Sequence, residues 1–280
     1  MNKKIRHIIM ALLLVVFCTA GGVIFFTYRK YEQEDRVYEQ AAEAYTRPVT
    51  DGGGFGTSDA SGLPTGAEAV EEAETLNGWA GAPLEVDFHR LREVNGDVVG
   101  WIYCEGTVIN YPVLQGEDND YYLHRNMNRQ THNAGSIFVD AANQPGFGDS
   151  NTIIYGHHMK NGSMFASLDE WAAQEYYEEH PVIWLLTPQQ NYRILLFAGY
   201  TTSAASDTYT IFPDSCDELE EYLKQCMEKS DFEADFNMTG PDAREEISLS
   251  RNDQYVVLST CAYSFQDARY VLHGKLVPVP

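Results

Sequence analysis

Tyr-Val-Val-Leu-Ser-Thr-Cys, residues 255–261, is an apolar, β-branched run that ends on a thiol. Its composition predicts a buried β-strand. After a seven-residue connection, Arg269 opens a second run with strand character that continues to Val277. If these two runs pair, the thiol of Cys261 and the guanidinium of Arg269 lie at neighbouring strand ends. The stretch therefore offers a candidate nucleophile with a cation beside it, and it needs a base from elsewhere in the chain.

The charge of the chain argues against nucleic-acid binding. Of its 280 residues, 19 are Lys or Arg and 41 are Asp or Glu, so the formal net charge is −22 at pH 7. The first thirty residues contain several bases and no acid, so the rest of the chain is more acidic still. Because nucleic-acid binding depends on neutralising phosphates with Lys and Arg, we exclude nucleic acid as a partner.

The five cysteines show no metal-binding spacing, and there is no C-x-x-C motif. Cys216 and Cys226 flank a predicted helix, which would hold them about 15 Å apart and too far for a disulfide. We expect Cys104 and Cys226 to be small buried hydrophobic residues. The acidic residues form no compact ligand cluster in the sequence. The sequence therefore predicts neither a metal site nor a cofactor.

The N-terminal segment is apolar from His7 to Thr27, which is long enough to cross a bilayer. A cleaved signal peptide is one alternative, because small residues follow Cys18, and lipoprotein cleavage at Cys18 is another. The apolar run continues past this point, and the residue before Cys18 is not small, so we predict an uncleaved anchor. Basic residues precede it and acidic sequence follows it, which favours an N-terminus inside the cell and a body outside.

Three parts are expected along the chain. Residues 1–30 are the cytoplasmic end and transmembrane anchor, residues 31–83 are a flexible extracellular tether, and residues 84–280 are the folded domain. The tether is rich in Gly and turn residues and poor in apolar ones, although a short helix is compatible with residues 31–45.

The folded domain is predicted to be mostly β with peripheral helices. Helices are expected around Leu91 and over residues 164–177 and 217–229. Short strand-like runs separated by turns occupy residues 98–103, 107–112, 136–139, 152–155, 182–187 and 192–200. Strands at this density with few helices indicate a closed or nearly closed antiparallel barrel.

Among the eight histidines, His157 is the candidate base. A predicted strand over residues 152–155 breaks at Gly156 and presents His157 and His158. A histidine at a strand end is more often structural than functional. The occurrence of Cys261 and Arg269 in the same small β-domain favours the functional interpretation. The other histidines fall at the membrane edge, in helices or in polar loops, and His273 on the last strand is predicted to be structural.

A thiol, an imidazole and a guanidinium together suit acyl transfer. The thiolate attacks an acyl carbon, and a neighbouring cation favours that form of the thiol. Histidine then donates a proton to the leaving amine. Arginine supplies a permanent donor to the oxygen that becomes negative. No carboxylate or amide that would orient the histidine is evident, so a papain-like triad is not supported.

These residues resemble the sortases, membrane-anchored cysteine transpeptidases of Gram-positive bacteria. Residues 258–261 match the family's Leu-x-Thr-Cys motif, Arg269 follows at a family-like spacing, and His157 directly follows a glycine, as in the family. The resemblance covers residues 84–280. Within the family, the sequence is similar to class B, because it has an N-terminal anchor and a long helix before the last strands. Further class B motifs lie at residues 97–102, 111–113, 119–123, 135–138 and 155–159.

The resemblance implies a fold and a reaction. The fold is a closed eight-stranded sortase-type β-barrel, preceded by one N-terminal transmembrane helix. Cys261 would cleave a C-terminal sorting signal of the Asn/Ser/Pro-Pro-x-Thr-x type after Thr, forming a thioacyl enzyme. An amine of a peptidoglycan precursor or cross-bridge would then resolve it and attach the surface protein to the cell wall. His157 would be the general acid and base, and Arg269 would hold the substrate carbonyl or oxyanion.

The resemblance also implies a substrate groove. Asn119, Leu123 and Ser259 match residues that line it in class B, and Thr260 of the motif is assigned to it as well. The loop over residues 201–213 is expected to form the opposite wall. Its candidates for substrate contact are Tyr209 and Ile211. Ala262 departs from the class, in which some members carry a charged side chain that touches substrate, and this leaves the fine specificity open.

Two alternatives to wall anchoring stay open. A related transpeptidase that polymerises pilins uses a Lys side chain as the acceptor, and the sequence does not separate this from wall anchoring. A non-catalytic surface binding domain, in which Cys261 is merely buried, is disfavoured because His157 and Arg269 are present with it.

Overall fold

The computed structural model describes residues 3–49, 81–234 and 249–279 of the chain. The strands are β1 (Thr46–Pro48), β2 (Leu84–Val86), β3 (Val98–Tyr103), β4 (Asn110–Gln115), β5 (Ile137–Val139), β6 (Asn151–Tyr155), β7 (Val182–Leu186), β8 (Asn191–Ser203), β9 (Gln254–Cys261) and β10 (Ala268–Val279). The α-helices are α1 (Lys3–Tyr45), α2 (Phe88–Val94), α3 (Gln174–Glu179) and α4 (Asp217–Lys229), and 3₁₀ helices cover Ala166–Ala172 and Asp207–Tyr209.

Eight strands close into a barrel in the order β10-β8-β7-β3-β4-β5-β6-β9, which confirms the predicted fold class. The pairings are antiparallel except for β4 with β5 and β6 with β9, which are parallel. The expectation of a wholly antiparallel barrel is therefore wrong at these two places. A parallel pair needs a long crossover, and a long segment separates the two strands in both cases.

The barrel interior is apolar and sealed from solvent. Alternate residues of each strand point inward, and these positions carry β-branched and aliphatic side chains, as the runs predicted. Fully buried examples are Ile102, Val113, Ile137, Ile154, Leu185, Leu196, Val256, Leu258 and Leu272.

Two predicted elements differ in detail from the structure. The strand expected at residues 107–112 begins at Asn110, because Thr107 closes a turn by donating its hydroxyl to the Cys104 carbonyl (2.9 Å). The helix expected at residues 164–177 is divided into a 3₁₀ helix and α3, because Ala173 between them is extended (φ −91°, ψ 128°).

Helix α1 carries the predicted membrane anchor. Among the described residues it is the one helix long and apolar enough to cross a membrane by length and composition. Its most apolar window has a mean hydropathy of 1.8, and none of that window is buried. Within the described residues the helix continues without interruption to Tyr45.

The end of α1 packs against the barrel. Tyr38 is 3% exposed, and its hydroxyl donates to the Gly135 carbonyl and lies 3.2 Å from the Ser136 Oγ. Directly after the helix, β1 pairs with β2. The first part of the predicted tether, through Pro48, is thus folded onto the barrel domain, and residues 50–80 of the tether lie outside the described residues.

Helix α4 covers part of the outer face of the barrel. Its apolar residues Leu219 and Leu223 pack on outward-facing side chains of the neighbouring strands, such as Val257 of β9 and Val271 of β10. Cys226 of the same helix is buried, as predicted, and so is Cys104; all five cysteines are free. Beyond α4, the same outer face of the sheet forms a groove.

Candidate active site

The alternation of side chains along β9 places the thiol on the outer face of the barrel. Val256 and Leu258 belong to the interior cluster, whereas Tyr255 and Val257 pack beneath α4. Because strand side chains alternate, Cys261 continues the outer row and is half-buried. The thiol therefore lies at the strand end that α4 leaves accessible.

Pairing of β9 with β10 brings Arg269 beside the thiol. The two strands are antiparallel, and Arg269 is the residue directly opposite Cys261. Residues directly opposite on neighbouring strands project on the same face of a sheet. The Arg269 guanidinium is half-buried and donates one hydrogen bond, 2.9 Å long, to the Ala268 carbonyl, which leaves further N–H groups for a ligand.

The parallel pairing of β6 with β9 places the imidazole on the other side of the thiol. Tyr155 pairs with Ser259, and the Gly156 N–H donates to the Ser259 carbonyl (3.0 Å). Continuing the same register by two residues sets His157 beside Cys261. The structure thus brings the three predicted catalytic residues together from three adjacent strands.

Gly156 is required where the strand passes the core. A Cβ at this position would lie 2.5 Å from the Ile137 Cδ1 and 2.6 Å from the Phe165 ring. Any other residue would push the chain away from the barrel and displace His157 with it. The glycine that the sequence marks as a strand break is therefore a close-approach position.

A main-chain carbonyl orients the histidine. His157 Nε2 lies 2.8 Å from the Leu123 carbonyl oxygen. Since a carbonyl only accepts hydrogen bonds, Nε2 carries the proton in this contact, and Nδ1 is the nitrogen left to exchange one. Sequence reasoning found no orienting side chain because this partner belongs to the backbone.

Cys261, His157 and Arg269 lie in a groove of about 330 Å³. Its lining comprises Asn119, Leu123, Phe138, Tyr155, Gly156, His157, Ala204, Tyr209, Ser259, Thr260, Cys261 and Arg269. Among the described residues, no cluster of His, Cys, Asp and Glu side chains is arranged to hold a metal ion.

The sequence and the fold are both similar to those of known proteins. The sortase domain family model matches residues 102–277. The chain belongs to the sortase family. Sortase B of Listeria monocytogenes is 36% identical over 216 residues, which cover 75% of this chain and 82% of that protein.

Solved structures agree with this assignment. Sortase B from B. anthracis superposes with a TM-score of 0.67 at 29% identity, covering 90% of this chain and 99% of that one. A Staphylococcus aureus sortase B–substrate complex has a TM-score of 0.62 at 32% identity, covering 69% of this chain and 85% of that one. The chain is therefore a class B sortase, and sortases are cysteine transpeptidases.

Most residues assigned to substrate binding in this sortase line the groove. Asn119, Leu123, Tyr209 and Ser259 are all in its lining, and the Ser259 Oγ is 2.8 Å from the Tyr209 hydroxyl. Burial raises the pKa of Tyr209, although Ser259 and the nearby Arg269 partly offset this effect. The neutral phenol is therefore the form present at neutral pH.

Two of the assigned residues are placed differently. Ile211 packs with the cluster under α4 and is not part of the groove lining. Thr260 follows the groove along β9, but its side chain alternates toward the interior and the residue is 2% exposed. Its hydroxyl makes no hydrogen bond within the described part of the chain.

Sequence reasoning missed two aromatic residues of the sortase groove, Phe138 and Tyr155. The Tyr155 ring stacks on Tyr209, with centroids 6.2 Å apart and planes at 25°, and contacts the Phe138 ring with centroids 5.4 Å apart. The alternation of side chains could have identified Tyr155 as a groove residue. Tyr155 precedes His157 by two residues, so both side chains project on the same face of the sheet.

The neighbouring His158 has different surroundings. Its ring packs edge-to-face on Tyr263, with centroids 5.1 Å apart, and it does not line the groove. His273 is 1% exposed and lies against the Tyr200 ring beneath α4, which agrees with the structural role predicted for it. These positions favour His157 as the base of the sortase.

Proposed function

We propose that this sortase cleaves a C-terminal sorting signal of the Asn/Ser/Pro-Pro-x-Thr-x type after Thr and transfers the protein to a peptidoglycan amine. The observation that carries this proposal is the convergence of Cys261, His157 and Arg269 in the lining of one groove. The similarity of this chain to S. aureus sortase B, which has been solved in complex with a substrate, supports the proposal.

In the first half of the reaction, the Cys261 thiolate attacks the carbonyl carbon of the Thr. The C–O π electrons move to oxygen, and the Arg269 guanidinium donates hydrogen bonds to the oxyanion. When the carbonyl re-forms, the C–N bond breaks, and the leaving amine takes the proton of His157 Nδ1. The product is a thioester between Cys261 and the Thr carbonyl.

In the second half, an acceptor amine gives a proton to His157 Nδ1 and attacks the thioester carbon. The C–S bond then breaks, and Cys261 leaves as a thiolate. A new amide bond joins the substrate to the acceptor, so the enzyme returns to its starting state without an oxidant or a cofactor.

The groove walls supply the contacts expected for the signal peptide. Asn119 and the Tyr209–Ser259 pair offer polar groups to the peptide main chain, and Leu123 and Phe138 offer apolar surface. Ala262 follows the nucleophile and is half-buried against the interior cluster. It adds no charge next to the thiol, so specificity depends on the groove walls.

Wall anchoring further requires that the barrel be held at the outer face of the cell membrane. We assign this role to the apolar part of α1, with residues 1–30 as the cytoplasmic end and anchor and the catalytic domain outside. Its length, its apolar composition and the basic residues before it support this topology.

Mass spectrometry of the full chain in detergent tests the reaction. The enzyme is mixed with a library of Asn/Ser/Pro-Pro-x-Thr-x peptides and with three amines: an oligoglycine, a stem peptide with a free side-chain amine, and a Lys-containing pilin-type peptide. We expect a thioester on Cys261 and a product joined to one of the first two amines, with neither formed by Cys261→Ala. Turnover by Cys261→Ala would overturn the catalytic assignment, and transfer to the pilin-type Lys alone would establish the polymerising alternative.

A further inference from the structure

A buried carboxylate lies directly behind the groove. Asp140 follows β5 and is 8% exposed, and it is not among the groove-lining residues. Its main-chain N–H donates to the Ile153 carbonyl (2.9 Å), which fixes it beside β6. Neither the sequence motifs nor the reaction described above assigns it a role.

Both oxygens of Asp140 accept hydrogen bonds. Oδ2 accepts from the Tyr155 hydroxyl (2.8 Å) and from Asn119 Nδ2 (3.0 Å). Oδ1 accepts from the Ala142 N–H (2.8 Å). Two of these three donors, Tyr155 and Asn119, are side chains that line the groove.

The Asn119 amide is held in one orientation by these contacts. Its Nδ2 donates to Asp140, while its Oδ1 accepts from the Ala141 N–H (2.8 Å). Rotating the amide by 180° would place an oxygen against the carboxylate and an NH₂ against an N–H. One N–H of Nδ2 is not used by Asp140 and is available to a ligand in the groove.

We propose that Asp140 is a positioning residue that makes Asn119 a hydrogen-bond donor toward the bound peptide. The Tyr155 hydroxyl uses its one O–H to donate a hydrogen bond to the same carboxylate, so its oxygen can only accept a hydrogen bond from a ligand. Asp140 thereby sets which side of the groove receives a peptide carbonyl and which receives a peptide N–H. The inference rests on the proposed function, because the ligand is the sorting signal.

A carboxylate is needed at this position for a geometric reason. An Asn side chain has one acceptor and one donor end, so in either orientation its NH₂ would face a donor. Buried Asp149, in the following loop, differs: its Oδ2 accepts from Asn143 Nδ2 (2.7 Å) and the Gln144 N–H (2.8 Å), and its Oδ1 makes no hydrogen bond within the described residues. Asp149→Asn can therefore keep its contacts and serves as the matched control.

The kinetic test uses the full chain in detergent and a quenched fluorescent peptide carrying Asn-Pro-Ala-Thr-Ala. We expect Asp140→Asn to raise the KM of cleavage about tenfold, the loss typical of hydrogen bonds that involve a charged group, with a smaller effect on kcat. Asp149→Asn should leave KM unchanged. In an Asn119→Ala background, Asp140→Asn should raise KM much less, since only its contact with Tyr155 remains to be lost. An equal rise in both backgrounds would overturn the proposal.

Two further measurements test the role of Asp140 separately from the proposed function. Asn119→Ala removes the donor at the groove and places no second charge beside Asp140, so it should raise KM comparably even if Asp140→Asn fails to fold; an unchanged KM would contradict us. NMR of the Asn119 side-chain amide needs no substrate: we expect the N–H proton that is hydrogen-bonded to Asp140 to be shifted downfield, and to move back toward the position of a solvent-exposed Asn amide in Asp140→Asn. If the wild type cleaves no peptide, the proposed function is wrong. If the amide signals of Asn119 are unchanged in Asp140→Asn, the positioning role of Asp140 is wrong, whatever the enzyme cleaves.

Discussion

The hydrogen bond between His157 and the Leu123 carbonyl bears on the role of each residue that we propose to be catalytic. A carboxylate partner would stabilise an imidazolium by charge, whereas a carbonyl orients the ring and fixes its tautomer with only a dipole. The guanidinium of Arg269 is therefore the permanent charge beside the thiol. Each of the three residues thus depends on a main-chain feature: the end of β9 for Cys261, the register of β10 for Arg269 and the carbonyl for His157.

At this scale, the two adjacent histidines should respond differently to substitution. His157→Ala removes the proton carrier and should lower kcat/KM for peptide cleavage by about 10²–10⁴-fold, the usual range for a general acid–base residue. His158→Ala removes a ring contact with Tyr263 outside the groove and should change kcat/KM by less than about fivefold. Steady-state cleavage of the same fluorescent peptide measures both, and a larger loss for His158→Ala would show that the wrong imidazole has been assigned.

At the scale of elements, the end of α1 and β1 belong to the folded domain. Ala41 packs in the same cluster as Leu84, Leu91 and Trp101, and Tyr38 lies over Tyr111 with ring centroids 5.5 Å apart. These contacts join the end of α1 to the barrel. A catalytic domain cut at the predicted boundary of residue 84 would lose them.

Two truncated proteins test this packing. A chain of residues 31–280 keeps the contacts of Tyr38 and Ala41, whereas a chain of residues 84–280 exposes the surfaces beneath them. We expect the shorter chain to lose about 3 kcal/mol or more of unfolding free energy, comparable to removing one large buried aromatic side chain. Urea unfolding followed by tryptophan fluorescence measures the difference. Equal stability of the two chains would mean that the helix end only rests on the barrel.

The elements also show what the sequence could and could not predict. β3 and α4 match their predicted ranges, because their boundaries follow from apolar periodicity and from turn residues on either side. The later start of β4 depends on the Thr107 side chain closing a turn, and the two parallel pairings depend on where long connections return. Those are tertiary outcomes that a local pattern does not encode.

The site divides in the same way. The convergence of Cys261, His157 and Arg269 was predictable because each lies at or next to one end of a strand-like run, within or beside a recognisable motif. The Leu123 carbonyl and the Asp140 carboxylate could not be assigned, since each needs the relative placement of strands and loops. A main-chain carbonyl in particular cannot be recognised from the residue type, because every residue has one. The inward side chain of Thr260 was open to prediction, because Thr260 alternates with Cys261 along β9.

On the scale of the whole molecule, one buried imidazole links folding to pH. Complete burial lowers the pKa of His273 to about 3, and the Lys229 ammonium contributes in the same direction. Its ring stacks on Tyr200, and its Nδ1 lies 3.5 Å from the Tyr222 hydroxyl. The folded protein therefore keeps this histidine neutral at pH values where the unfolded chain protonates it.

The sign of the effect follows from proton uptake. Between the unfolded pKa near 6.5 and the folded value, the unfolded state binds the extra proton, so stability is fully present above about pH 6.5 and falls as the pH drops toward 3. From pH 7 to pH 4.5 this group should account for about 2–3 kcal/mol of lost stability. Chemical unfolding of wild type and His273→Gln in the same detergent measures it. The variant should lose that much less over the same range, and identical losses would contradict the assignment.

The parallel pairing of β6 with β9 joins strands that lie far apart along the chain, and this sets when the enzyme becomes active. Non-local pairings of this kind form late in folding, because the entropy cost of closing a large loop precedes the contacts that offset it. Until then the thiol of Cys261 lacks His157, although the local pairing of β9 with β10 already places Arg269 opposite it. The complete set of three residues is therefore assembled only when the barrel closes.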